Sequence, residues 1–300
     1  MKDFTDAVAV VTGGASGIGL ALAEAAVARG AQVVIADIRE DALAAAHTRL
    51  TLDGAEVLAV RTDVSKADEI EALADAAVTR FGKVNLMFNN AGVFASGVTW
   101  ETSLEEYDWV IDVNLRSVIH GIRSFVPRMI AQGDPCHVIN TASGAGITVN
   151  PGFCTYSMTK HAVVALTEAL WLDLAAQGVP NIGATVVMPG VVQSRIMFPE
   201  KTGPQALQGE LAARKANPTL NALEAFMRQA VDTGLPASGL ADMVFKAIEA
   251  SDLYVLPNFT DEGSQAIAKA VALGRCTAQN PYPALLEGMM ASFGQPAPQT

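Results

Sequence analysis

The chain has 300 residues, of which 50% are hydrophobic and 17% charged, and it carries a formal net charge of -11. An anionic chain without a basic cluster excludes nucleic acid and anionic membrane surfaces as natural partners. No apolar run approaches the ~18 residues of a membrane span, and the first apolar run is too short for a signal segment.

Apolar, β-branched runs alternate with helical patterns along most of the chain. Residues 7–12 read as a buried strand, and 17–29 as an Ala/Leu helix that ends at Gly30. A strand over 32–36 and a helix over 40–52 follow. Then come a strand over 57–60 and a helix over 65–81, with Ser65 as its cap and Gly82 beyond its end. Residues 84–88 form the fourth strand. Ser103-Leu-Glu-Glu106 is a capping box that opens one long helix to about Gln132. A strand over 136–141, a helix over 155–177 and a strand over 182–188 complete the regular alternation. A helix over 238–250, capped by Ser238, and a short strand over 253–256 follow.

Short buried strands alternating with helices mean βαβ units and a parallel sheet covered on both faces. Right-handed crossovers make the fold α/β and doubly wound. Its ligands bind beyond the carboxyl ends of the strands. Gly13, Asp37, Asp63, Asn90, Ser143 and Pro189 each follow a predicted strand. Residues 191–237 break the alternation and read as an inserted cover over a site. The expected organisation is one domain over 1–276, including that cover, and a tail over 277–300.

Cys136, Cys154 and Cys276 are odd in number and lack Cys-x-x-Cys spacing. They read as free thiols in a reducing cytoplasm. His47, His120, His137 and His161 lie far apart without ligand spacing, so no metal site is expected.

Thr12-Gly-Gly-Ala-Ser-Gly-Ile-Gly19 joins the first strand to the first helix. Its glycines allow a tight turn and close backbone approach, and the helix N-terminus presents free N–H groups to a pyrophosphate. Gly13, Ser16, Gly17, Ile18 and Gly19 are the candidate cradle. Asp37 ends the second strand, where a carboxylate can hold both ribose hydroxyls of NAD and repel a 2′-phosphate. Arg39, two residues on, is the group that would accommodate such a phosphate. Asp63 and Val64 follow strand three and flank an expected adenine.

Tyr156 and Lys160 stand four apart on one predicted helix face, with Ser143 thirteen residues before the tyrosine. A nearby ammonium favours the phenolate and draws a tyrosine toward use as a base near neutral pH. Ser143, brought in from a strand end, can hold a substrate oxygen.

TGGASGIG at 12–19, NNAG at 89–92, VNL at 113–115, Ser143, Tyr156-x-x-x-Lys160 and PGVVQS at 189–194 together resemble the short-chain dehydrogenase/reductase family. The resemblance covers about residues 5–195 and weakens to 258. It implies a single-domain Rossmann fold, a nicotinamide cofactor and a tetrad of Asn114, Ser143, Tyr156 and Lys160. In that tetrad Tyr156 takes the alcohol proton, Ser143 orients the substrate oxygen, and Lys160 depresses the tyrosine and binds ribose. Asn114 holds a water that links Lys160 to solvent. The resemblance also implies that Asn90, Ala91 and Gly92 let the backbone pass close to the cofactor. Pro189, Gly190, Val192 and Ser194 flank the nicotinamide. Paired helices 103–132 and 155–177 are expected to build a homodimer or homotetramer.

His161 follows the lysine where the family has a small residue, and is expected to face helix packing. Val149, Phe153, Met197 and Phe198 make the substrate side apolar, and Trp100 is read as packed or as lining the entrance. The resulting expectation is a cytoplasmic, NAD-dependent oxidoreductase that interconverts a secondary alcohol and a ketone, with an apolar or aromatic substrate. The opening MKDF, the long cover and the long C-terminus also resemble bacterial Cα-dehydrogenases of lignin-type aryl ethers. Steroid or alicyclic alcohols are the competing substrates, and a non-catalytic NAD-binding regulator is the competing function.

Overall fold

The structure is a computed structural model, and the description covers residues 1–52, 54–197, 203–213, 217–257 and 262–292. Seven parallel strands form one sheet in the order β3-β2-β1-β4-β5-β6-β7. They are β1 (Val8–Thr12), β2 (Gln32–Asp37), β3 (Val57–Arg61), β4 (Leu86–Asn89), β5 (Cys136–Thr141), β6 (Ile182–Val187) and β7 (Tyr254–Val255). The connecting helices are α1 (Gly17–Val27), α2 (Glu40–Leu50), α3 (Ala67–Phe81), α4 (Leu104–Ile111), α5 (Ser117–Gln132) and α6 (Cys154–Ala176). Then follow α7 (Gln208–Ala213), α8 (Pro218–Asp232), α9 (Ala237–Ala250), α10 (Glu262–Thr277) and α11 (Tyr282–Ser292).

The period-two alternation of the strands divides the core. Ala9, Val11, Val33 and Ile35 face one side and pack with Leu22 of α1, Leu43 of α2 and Leu240, Val244 and Phe245 of α9. Their neighbours Val10, Val34 and Ala36 face the other side, against Ile70 and Leu73 of α3, Phe125 and Met129 of α5 and Leu170 and Leu174 of α6. Both faces are covered, so the strands are buried on both sides and β1 and β2 are almost wholly apolar rather than alternating. The sheet order reverses between β1 and β4, and a crevice opens beyond their carboxyl ends.

The doubly wound α/β fold expected from the sequence is the fold observed, with element ends moved by one or two residues. Three local readings need correction. The third helix starts at Ala67, not Ser65, because the Ser65 hydroxyl and backbone N–H both donate to Asp63 Oδ1, at 2.7 and 3.0 Å. Ser65 therefore belongs to an Asx turn before the helix. Ser238 lies inside α9, whose cap position is Pro236. The helix expected over 103–132 is interrupted by a π-helical turn, Asp112–Arg116, that separates α4 from α5. The 277–300 segment contains helix α11.

Ser103 does cap α4, accepting from Glu106 N at 3.2 Å. Its own backbone N–H donates instead to Glu210 of α7 at 3.2 Å. The cover helix thus supplies the acceptor at this helix start.

Candidate active site

The glycine turn between β1 and α1 opens into a cavity of about 1180 Å³. Gly13 has φ +63°, a left-handed conformation that disfavours a side chain, and an added Cβ there would sit 3.0 Å from Ala91 Cα. At Gly19 an added Cβ would overlap the carbonyl oxygen of Gly13. The turn therefore closes against itself and leaves the start of α1 accessible from the cavity. Asn90 secures it from the neighbouring strand: its Nδ2 donates to Thr12 O at 3.0 Å. Thr12 Oγ1 accepts from the N–H groups of Asn90 and Ala91, at 3.0 and 3.1 Å.

At the far side of this turn lies Asp37, only 6% exposed. Its Oδ2 accepts from Ala15 N at 3.3 Å. Arg39 lies over it, with Nε 3.2 Å from Asp37 Oδ1 and Nη2 2.8 Å from Ser16 Oγ. The arginine charge is thus compensated where it stands. Asp63, Val64, Ser16, Gly17 and Ile18 line the same end of the cavity wall.

The opposite end is built by β5, β6 and α6. Ser143 follows β5, and its Oγ donates to Pro189 O at 3.3 Å and accepts from Ala145 N at 3.2 Å. Tyr156 and Lys160 stand one turn apart on α6, and both line the cavity. Lys160 Nζ donates to Thr141 O at 2.9 Å and lies 5.5 Å from the centre of the Tyr156 ring. Burial pushes the Tyr156 phenol up, and its hydrogen bond with Ser143 opposes that shift. Burial pushes Lys160 down to about 8. The expected lowering of Tyr156 by Lys160 is not what governs the phenol: desolvation dominates, and the ammonium is bonded to the Thr141 carbonyl.

Asn114 sits in the π-helical turn and is fully buried. Its Oδ1 accepts from Val93 N at 2.7 Å, while Nδ2 donates to Val93 O at 2.9 Å and Thr159 Oγ1 at 3.3 Å. Both amide hydrogens are committed to protein, so a water at this side chain would have one lone pair of Oδ1. Thr159 Oγ1 in turn donates to Tyr156 O at 2.8 Å. Asn114 thereby joins the loop after β4 to the tyrosine-bearing turn of α6.

A family model described as short chain dehydrogenase matches residues 7–204. The chain belongs to the short-chain dehydrogenase family. It is 34% identical over 256 residues to a CLA biosynthesis dehydrogenase/reductase of Lactiplantibacillus plantarum, covering 85% of this chain and 89% of that protein. It is 33% identical over 258 residues to a C alpha-dehydrogenase of a Sphingobium species, covering 86% of this chain and 82% of the relative. A crystal structure of a short-chain dehydrogenase/reductase from Burkholderia phymatum in complex with NAD superposes with a TM-score of 0.88 at 39% identity. That match covers 94% of this chain and 98% of the other. The chain is accordingly a dehydrogenase of a family that uses NAD or NADP and acts on small molecules.

The cavity is walled near Tyr156 by Phe94, Phe153, Met197, Met227 and Val231, and elsewhere by Trp109. Phe94 meets Phe153 edge-on at 4.8 Å and the Tyr156 ring at 5.2 Å between centres. Phe153 and Met197 were anticipated from sequence; Phe198 lies outside the described residues. Val149 is 41% exposed and outside the cavity wall. Trp100 is neither packed nor lining, since it is 84% exposed; Trp109, one helix later, takes the lining place. Pro189, Gly190, Val192 and Ser194 run along the cavity after β6.

His161 is half-buried and turns away from the cavity, its Nδ1 donating to Ser157 O at 2.9 Å. Phe94, Trp109 and Met227 escaped sequence reading. Trp109 and Met227 lie on apolar helix faces that look like ordinary core. Among the described residues no group of three or more His, Cys, Asp or Glu side chains converges as metal ligands, and no helix is long and apolar enough to cross a membrane.

Proposed function

We propose that this dehydrogenase uses NAD to interconvert a secondary alcohol and a ketone. The observation that carries the reading is one continuous cavity, with the glycine turn and Asp37 at one end and Ser143, Tyr156 and Lys160 at the other. The turn passes a fit test for a dinucleotide: no side chain can be added at Gly19, and the start of α1 stays accessible. Gly13, Ser16, Gly17, Ile18 and Gly19 hold the pyrophosphate, and Asp37 takes the ribose hydroxyls. Asp63 and Val64 would flank the adenine, and Asn90, Ala91 and Gly92 would let the backbone pass close to the cofactor. Pro189, Gly190, Val192 and Ser194 border the nicotinamide. When bound, NAD supplies the hydride acceptor.

The chain's own residues then handle oxygen and proton. Tyr156 Oη removes the alcohol proton in oxidation and returns it in reduction. Ser143 Oγ donates to the substrate oxygen as its charge changes. Lys160 keeps a positive charge within the site, favouring the phenolate once substrate or cofactor rearranges the polar contacts. Asn114 orients this pair through Thr159 and Val93.

Asp37 supports NAD over NADP. Its carboxylate faces the cavity end, and the Arg39 charge is already spent on Asp37 and Ser16. The Phe94–Phe153–Tyr156 cluster and the methionines support an apolar, aromatic substrate. A benzylic Cα-alcohol of a lignin-type aryl ether is the specific form of this reading, and the C alpha-dehydrogenase relative adds to it.

The proposed organisation is one domain over 1–276 with its cover at 191–237, followed by a C-terminal segment. Exposed Ile130, Met158, Trp171 and Leu172 on α5 and α6 support a homodimer or homotetramer. Free Cys136, Cys154 and Cys276 support a cytoplasmic location. The test is NAD reduction across benzylic, steroid and alicyclic secondary alcohols. Turnover with benzylic alcohols supports the reading. Turnover only with steroids or alicyclics moves the substrate class, and no turnover with any of them sinks the alcohol chemistry.

A further inference from the structure

Helix α10 lies outside the region matched by the family model, yet one of its residues reaches the main cavity. Ile267 lines the cavity while staying 43% exposed, so it stands at the mouth rather than in the floor. Val271 follows one turn later and is 2% exposed. Arg275 follows one further turn on, and its Nη2 donates to His161 Nε2 at 3.2 Å. Residues spaced i, i+4 and i+8 share one helix face. One face of the helix therefore carries an apolar residue at the cavity, a buried valine and a polar bond to α6.

The polar bond ends on α6, the helix that carries Tyr156 and Lys160, at a side chain that faces away from the cavity. The Nδ1–H of His161 is used by Ser157 O, which leaves Nε2 as the acceptor that Arg275 needs. A small residue at position 161 would offer α10 no such partner.

We infer that α10 is the outer wall of the substrate cavity, that Ile267 sets the bulk admitted there, and that Arg275 positions it by binding His161. The inference takes what fills the cavity from the alcohol-dehydrogenase reading above. Ile267 is a specificity residue for the apolar group of the alcohol remote from the carbinol carbon. Arg275 is a positioning residue that touches neither substrate nor cofactor.

Two arms on the full-length chain test it. The first needs no turnover: hydrogen exchange over 262–277 is compared in wild type, Arg275→Ala and Arg275→Lys. Arg275→Ala speeds exchange across the helix about tenfold, the loss of one hydrogen bond to a charged group. Arg275→Lys, which keeps a donor, restores most of the protection. Equal exchange in wild type and Arg275→Ala overturns the positioning role.

The second arm measures kcat/KM with NAD for 1-phenylethanol and the bulkier benzhydrol. Ile267→Ala raises the benzhydrol-to-phenylethanol ratio about tenfold and Ile267→Trp lowers it about as much, the usual scale for a few methylenes in an apolar pocket. Arg275→Ala raises the benzhydrol KM more than it lowers kcat. A ratio unmoved by both Ile267 variants overturns the wall. Should wild type oxidise neither alcohol, the benzylic form of the reading fails, and the wall is then judged by binding of the apolar dye ANS. Ile267→Trp weakens that binding several-fold if the wall is real, and unchanged binding overturns it.

Discussion

Lys160 Nζ donates to the Thr141 carbonyl at 2.9 Å, so the buried ammonium is held at the end of β5. Thr141 shares a loop with Ser143, and Lys160 shares a helix with Tyr156. One hydrogen bond therefore joins the two elements that carry the proposed acid–base centre. The geometry has a stability consequence, because burial pushes Lys160 from 10.5 down to about 8.

Between about 8 and 10.5 the unfolded chain holds the Lys160 proton and the folded chain has lost it. Stability attributable to this group therefore rises with pH through that window, and below it the penalty is complete. At about 1.4 kcal/mol per pH unit the buried charge costs on the order of 3 kcal/mol at neutral pH. Loss of the charge-assisted bond to Thr141 O offsets about 1.5 kcal/mol of that. Lys160→Met is thus expected to be inactive yet more stable than wild type by about 1.5 kcal/mol in urea at pH 7, without cofactor. The advantage shrinks by pH 10. A less stable Lys160→Met at pH 7 refutes the account of the buried charge.

Thr159 receives Asn114 Nδ2 and donates to Tyr156 O. Thr159→Val keeps the shape and removes both bonds. Turnover should fall roughly ten- to hundredfold, as expected when a reacting group is misplaced by a fraction of an ångström to an ångström. KM for NAD should move little, and Thr159→Ser should recover most of the rate. Steady-state kinetics on the two variants decide it, and equal losses in both would assign Thr159 to packing alone.

Asp37 and Arg39 form an ion pair at the cofactor end. Asp37→Ala removes the proposed ribose acceptor and releases Arg39 toward a 2′-phosphate. The ratio of kcat/KM for NAD over NADP should drop at least tenfold, the scale of one charged hydrogen bond. An unchanged ratio rejects the ribose contact.

His137 is buried in β5 and pushed down to about 3 by desolvation, with the N-terminal charge adding to the shift. Its Nε2 lies 2.7 Å from Thr185 Oγ1, which itself donates to Asp252 O, so His137 supplies the proton in that bond. As pH falls below the ordinary histidine value of about 6.5, the unfolded chain takes up a proton that the folded chain refuses. Stability present above that value is lost toward pH 3, with a slope approaching about 1.4 kcal/mol per pH unit from this group. Urea titrations from pH 7 to 4 should show a shallower decline for His137→Leu. Parallel declines contradict the assignment.

The strands and the glycine turn were legible because each is local: a buried parallel strand is an apolar run, and a cradle needs glycines at fixed offsets. Tyr156, Lys160 and Ser143 were legible because four residues on a helix and one strand end bring them together. Phe94, Trp109, Met227 and Ile267 were not, since the cavity wall is assembled from the loop after β4, α4, α8 and α10, which no short pattern links. The π-helical turn at Asn114 was hidden for another reason. Asp112–Arg116 looks like continuing helix, and what distinguishes it is the backbone bond from Ser117 N–H to Asp112 O, five residues back, which no side-chain pattern announces. The depressing effect of Lys160 on Tyr156 was inferred from spacing alone, which carries no information about the Thr141 carbonyl or about burial.

The central claim is that Tyr156 Oη exchanges the proton with the substrate oxygen. Tyr156→Phe removes that single atom and keeps the ring against Phe94. With the alcohol that wild type oxidises fastest, turnover should fall on the order of a thousandfold, within the range for loss of a general acid–base group. NAD binding measured by fluorescence should stay within about threefold, since the phenol oxygen contributes one hydrogen bond at most. Turnover within tenfold of wild type, with NAD still bound, would contradict the mechanism.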